Sequence, residues 1–192
     1  MASPPPPVGC AAAAQAATAW AGLPDGLLEA IGVVESGRFN RMTGTTTPSP
    51  YAVDADGAGH RFASAAEAAD FARQSMASGA RAVDVGCFQI DLQDHPDAFA
   101  SLDDAFTPTA NADYAAQFLL RLHAKLGSWE AAIGAYHSAT PALGLPYAKQ
   151  VNAVWHGEIA GNPAAANDPP MRDPYVIRLA ASHGVLPKII TP

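Results

Sequence analysis

Residues 25–37 read Asp-Gly-Leu-Leu-Glu-Ala-Ile-Gly-Val-Val-Glu-Ser-Gly. They combine a helical apolar stripe with an acid set against it. Leu27, Leu28, Ile31 and Val34 fall on one face of a helix from about Asp25 to Ser36, and Gly37 is placed to stop it. Glu35 lies in the last turn, four residues after Ile31 and seven after Leu28, so its carboxyl leans toward the apolar face. Desolvation and the partial negative charge at the helix C-terminus both disfavour the carboxylate and raise the pKa. A general acid working near neutrality needs such a shift. The plainer alternative is a helix-end Glu that reaches water or pairs with Arg38.

On the N-terminal side, residues 10–21 (CAAAAQAATAWA) read as a helix from alanine propensity. On the C-terminal side, residues 38–63 change character, and a small β-hairpin with Asp56-Gly57 near its tip is expected. Ser64-Ala65-Ala66-Glu67 is a capping-box signature opening a helix to about Ser78, ended by Gly79. Residues 82–92 (AVDVGCFQIDL) are β-rich and read as a third short strand beside the hairpin. Thr107-Pro108 starts the longest helix, to about Leu126, with Ala115, Phe118, Leu119, Leu122 and Leu126 as its core stripe. Gly127 ends it. Ser128 caps a helix to about Ser138, in which Trp129, Ala132, Ile133 and Tyr136 share a face. A further helix from about Leu145 carries Tyr147, Val151, Val154 and Trp155. Residues 161–172 read as a linker, Asp173-Pro174 as the start of a last helix to His183. The expected fold is α+β, mainly helical with a small antiparallel sheet. Residues 1–9 form a Pro-rich lead, 10–160 the folded domain, and 161–192 linker, C-terminal helix and tail.

At 192 residues one domain with tails is the natural size. With 11 Lys and Arg against 18 Asp and Glu, a net charge of −7, the chain is a poor candidate for binding nucleic acid. No apolar run is long enough to cross a membrane. Met1-Ala2-Ser3 and Pro4 to Pro7 have neither the charged nor the apolar region of a signal peptide, and read as a mature start with an added Met. A lipid-anchored Cys10 fits less well, since Pro7 stands where a branched apolar residue is preferred. Cys10 and Cys87 are too few and too far apart for zinc, which leaves either two buried thiols or one disulfide. His60, His95, His123, His137, His156 and His183 show no metal-ligand spacing, and there is no GxSxG or phosphate loop. No metal or other cofactor is expected.

Asp84-Val85-Gly86-Cys87-Phe88-Gln89-Ile90 puts a glycine and a glutamine on a segment read as extended. Gly86 permits close backbone approach to a ligand, and Gln89 offers both a donor and an acceptor for sugar hydroxyls or an acetamido group. Taken singly, Gln89 reads as an exposed strand amide, and Tyr136 and Tyr147 as core tyrosines with satisfied hydroxyls.

In order along the chain stand Glu35-Ser36-Gly37 at a helix end, Gly86-Cys87-Phe88-Gln89-Ile90, Ala135-Tyr136-His137 and then Tyr147. This series resembles the lytic transglycosylases of the soluble-lytic-transglycosylase type, which have a lysozyme-like fold. The likeness spans about residues 10–156. The stretch from Tyr51 to Pro96 is most similar to the specialised members that accompany secretion and conjugation systems. The resemblance implies a periplasmic enzyme that cuts peptidoglycan glycan strands between N-acetylmuramic acid and N-acetylglucosamine, leaving a 1,6-anhydro end. It implies Glu35 as acid and base, and Ser36, Phe88, Gln89, Tyr136, His137 and Tyr147 as the residues around the sugar. It also implies a Cys10–Cys87 disulfide and, as partners, components of a secretion or conjugation apparatus. There are two departures from the pattern. His137 stands where Asn is usual, and where many members carry a serine upstream of the Gly-x-x-Gln segment the candidate positions here are Ala80 and Ala82.

Two other functions remain compatible with the residues. One is a lysozyme-like hydrolase, which would need a second carboxylate from among Asp54, Asp56, Asp84 and Asp91. The other is a non-catalytic glycan-binding subunit of an envelope-spanning machine.

Overall fold

The structure is a computed structural model and describes residues 8–158. The linker at 161–172, the helix from Asp173 and most of the Pro-rich lead lie outside the described residues. The fold is α+β and mainly helical, with small antiparallel sheets.

Two helices open it, α1 (Cys10–Ala21) and α2 (Leu27–Ser36). Leu27, Leu28 and Ile31 of α2 are fully buried, about 2 kcal/mol of hydrophobic stabilisation each. Gly37 follows α2 but is not the left-handed stop expected of it, with φ −59°. It is glycine for lack of space: a Cβ there would lie 2.2 Å from the Val33 carbonyl oxygen and 2.6 Å from Thr46 Cγ2.

Instead of ending in a loop, α2 runs straight into β1 (Gly37–Asn40), which pairs antiparallel with β2 (Thr45–Pro48). This hairpin is additional to the expected one. The latter is β3 (Ala52–Ala55) and β4 (Ala58–Arg61), joined at Asp56 and Gly57 with φ 52° and 85°. Both central residues are left-handed, the turn that suits a two-residue hairpin. Next comes α3 (Ala65–Ala77), whose Ser64 side chain accepts from the Glu67 N–H, while Glu67 accepts in return from the Ala63 N–H.

The stretch 82–92 is not one strand. It divides into β5 (Val83–Val85) and β6 (Ile90–Asp91), with the chain reversing over Gly86 to Gln89, and the sheet runs β4-β3-β5-β6. Val53, Val83 and Val85 pack with Ala68, Ala69 and Ala72 of α3 and with Phe106 in a small core on one face of that sheet.

The remaining elements are helical: a short α4 (Leu102–Ala105), then α5 (Pro108–Leu126), α6 (Trp129–His137) and α7 (Pro141–Trp155). Two expectations need correcting here. Leu126 is 43 % exposed and lies off the core stripe, and α7 begins at Pro141 rather than Leu145. Proline is readily accepted in a first helical turn, where its missing N–H has no partner to lose. Helices α1, α2, α5, α6 and α7 enclose the main core, which includes Leu28, Ile31, Phe88, Leu119, Ile133 and Val151. Gly134 of α6 and Gly144 of α7 let two backbones touch, since a Cβ on Gly144 would lie 2.8 Å from the carbonyl oxygens of Gly134 and Ser138. A Cys10–Cys87 disulfide joins α1 to the turn after β5. No helix among the described residues is long and apolar enough to cross a membrane.

Candidate active site

Glu35 ends α2 in the main core yet reaches the edge of the sheet. It is 6 % exposed and lines a small cleft with Ala52, Asp54, His60, Arg61 and Gln89. Burial pushes its pKa from 4.5 up to about 8, against the opposing effect of a hydrogen bond from Tyr147. That bond, from the Tyr147 hydroxyl to Glu35 Oε1, is 2.5 Å long. It leaves Oε2 to carry the acidic proton. Tyr147 is itself buried and held protonated by burial and by the adjacent Glu35 charge. The Arg61 guanidinium donates to the carbonyls of Ser36 and Gly37, at 3.3 and 3.1 Å, and so satisfies acceptors at the end of the acid's helix.

The other residues marked by the sequence surround this pair in different ways. The ring of His137 stacks on that of Tyr147, with centroids 4.7 Å apart and planes 12° off parallel. Burial lowers the His137 pKa, so it braces Tyr147 as a neutral ring. Tyr136 is half-buried and donates from its hydroxyl to the Phe88 carbonyl at 2.8 Å. Burial, then the charge of Glu35, holds its hydroxyl protonated. Gln89 lines the cleft but is not on an extended strand, since its φ is 47°. Its amide donates to the carbonyls of Gly86 and Ala52, at 2.9 and 3.3 Å, so its side-chain oxygen remains for a ligand.

Two expected sugar contacts lie inside instead. Phe88 is fully buried against Gly32, in the main core. Ser36 is 1 % exposed, donates to the Cys87 carbonyl at 2.7 Å and accepts from the Ser49 N–H at 3.1 Å. Both hold the site's framework together. Ala80 and Ala82, at the serine-less positions, lie outside the residues lining the cleft.

Asn111 was not marked by the sequence, where it is one polar residue among alanines. Fully buried on α5, it accepts from the Phe88 N–H at 2.9 Å and donates to the carbonyls of Val85 and Ala105. It presses on Gly86, where a Cβ would meet its amide at 2.5 Å and φ is 81°. The turn carrying Gln89 is thus fixed by Asn111 below, by Ser36 at Cys87 and by Tyr136 at Phe88.

The structure also sorts the four candidate second carboxylates. Asp56 accepts from the Arg81 and Ala82 N–H groups and serves the hairpin tip. Asp54, Asp84 and Asp91 lie directly opposite one another on β3, β5 and β6, on the sheet face away from Val53, Val83 and Val85. Like charges in such register repel. Burial raises all three pKa values, and the charges of Asp91, Asp54 and Glu35 raise that of Asp84 further. Among the four only Asp54, 4 % exposed, lines the cleft with Glu35. Among the described residues no group of three or more His, Cys, Asp or Glu side chains is arranged to hold a metal ion.

The chain matches no known protein family, no curated protein and no solved structure.

Proposed function

We propose that the chain is a peptidoglycan lytic transglycosylase, with Glu35 as its acid and base. The observation that carries this is a carboxylic acid buried beside an open cleft, kept protonated to about pH 8 and oriented by a tyrosine hydroxyl. In the proposed reaction Oε2 gives its proton to the glycosidic oxygen between N-acetylmuramic acid and N-acetylglucosamine, and the bond from that oxygen to C1 breaks. The substrate's acetamido group supports the electron-poor C1. Glu35, now ionised and held by the Tyr147 hydrogen bond, takes the proton of the muramyl C6 hydroxyl. The C6 oxygen then closes on C1 and leaves the 1,6-anhydro product. An intramolecular nucleophile needs no activated water and carries a large entropic advantage. A second polar contact for the sugar comes from the Gln89 side-chain oxygen. Action in the periplasm, alongside a secretion or conjugation apparatus, is part of the same reading. The disulfide supports an oxidising compartment.

A hydrolase is the second reading, favoured by the buried Asp54 carboxyl lining the same cleft. Mass spectrometry of fragments released from purified peptidoglycan by wild type and Glu35→Gln separates the two. Anhydro-ended fragments from wild type alone are the expected result. Reducing ends, heavier by one water, would establish hydrolysis and point to Asp54. No fragments from either protein would refute both enzymatic readings and leave a glycan-binding subunit.

A further inference from the structure

Tyr136 stands between the acid and a second group of side chains that the proposed reaction does not use. Its ring packs on Phe118 of α5, with centroids 5.4 Å apart. Tyr114, Phe118 and Arg121 recur at helical spacing and share one face of α5. The Arg121 guanidinium carbon lies 5.3 Å from the centre of the Tyr114 ring and 5.7 Å from that of Phe118. Tyr114 in turn shares a 2.9 Å hydrogen bond with His95 Nδ1, and His95 sits edge-on to Phe118. Tyr114, Phe118 and His95 are only half-buried, and Arg121 is exposed. Asp94 and Asp97 lie in the neighbourhood, yet no carboxylate among the described residues pairs with Arg121.

In a chain with 11 cationic and 18 acidic side chains, such an arginine is conspicuous. Two aromatic rings and a hydrogen bond to Tyr114 restrain its side chain, which lowers the entropy lost when it binds. Its fork of N–H donors matches a carboxylate in geometry and charge. The half-exposed rings beside it offer an apolar surface with polar edges, which suits a sugar. Peptidoglycan presents both features together, because its N-acetylmuramic acid units carry peptide stems with free carboxylates. We propose that Arg121, Tyr114 and His95 form a subsite for a peptide-bearing muramyl unit, with Arg121 pairing with a carboxylate of the stem. This rests on the glycan reading above. It adds a substrate class: glycan that still bears its peptides, in preference to stripped glycan.

The test is binding calorimetry with the full chain carrying Glu35→Gln, which prevents turnover. The probes are soluble muramyl oligosaccharides with peptide stems and the same oligosaccharides stripped by an amidase, with the lactyl carboxylate that the amidase exposes capped as a methylamide. The peptide-bearing form is expected to bind about tenfold more tightly, the effect of one charge-assisted pair. Adding Arg121→Gln should abolish that preference and leave affinity for stripped glycan unchanged. Adding Arg121→Lys should restore only part of it, since an ammonium lacks the planar fork. Equal binding of the two glycans before Arg121 is changed would overturn the proposal, as would a preference that survives Arg121→Gln or an equal loss for both. Binding of neither glycan would overturn the glycan reading itself.

Discussion

Replacing Glu35 by Gln should stabilise the protein, and the gain should grow with pH. The folded state holds the Glu35 proton to about pH 8, whereas the unfolded chain releases it near 4.5. Below pH 4.5 both states are protonated and the group is neutral in the balance. Between the two values the unfolded state is ionised and the folded state is not. Folding there takes up a proton, and stability falls by about 1.4 kcal/mol for each pH unit. At pH 7 the loss amounts to about 3 kcal/mol, and above pH 8 to about 5 kcal/mol. Gln fits the same space, can accept the Tyr147 hydrogen bond and has no proton to lose. Urea unfolding of both proteins from pH 5 to pH 8.5 measures the difference directly. The other buried acids are common to both, so to first order their titration cancels. A difference that is flat with pH, or that favours wild type more as pH rises, would show that Glu35 is ionised in the folded protein at neutrality. It could then not serve as the acid.

Tyr147→Phe removes a donor that favours the ionised form of Glu35. The alkaline limb of the pH–rate profile, set near pH 8 in wild type, should move up by about one unit while kcat falls. An unmoved or lowered limb would count against the assigned direction of that bond. Reducing Cys10–Cys87 releases a closed loop with a sequence separation of 77. Chain entropy gives a loss of stability of about 4.5 kcal/mol. Thermal unfolding with and without reductant should show a clear downward shift in Tm, and a shift within error would contradict this.

The parts of this architecture written in local sequence are legible before any coordinates. The Leu27, Leu28, Ile31 and Val34 stripe marks α2, and its position puts Glu35 against the core. The Asp56-Gly57 turn and the Ser64–Glu67 cap need only neighbouring residues to declare themselves. The β1–β2 hairpin is harder to see because Thr45, Thr46 and Thr47 have no apolar alternation and the pairing has little hydrophobic face. The reversal at Gly86–Gln89 depends on Asn111, twenty-odd residues away, and no pattern around Gln89 reveals it. Phe88 shows the same limit. A residue next to a ligand-facing Gln is as readily core as surface, and the left-handed Gln89 determines which. Tyr147 is recognisable as a member of a core stripe, but its bond to an acid 112 residues earlier is purely tertiary.

The close contact of Gly134 with Gly144 acts as a gauge. It sets how far α7 can stand from α6, and so where Tyr147 stands relative to His137 and Glu35. The strength of the acid is thereby tied to two residues that have no side chain. A single methyl group on Gly144, 2.8 Å from two carbonyl oxygens, would act as a wedge between the helices and detune Glu35 without touching it. At Gly144 a side chain is shut out for reasons of thickness alone.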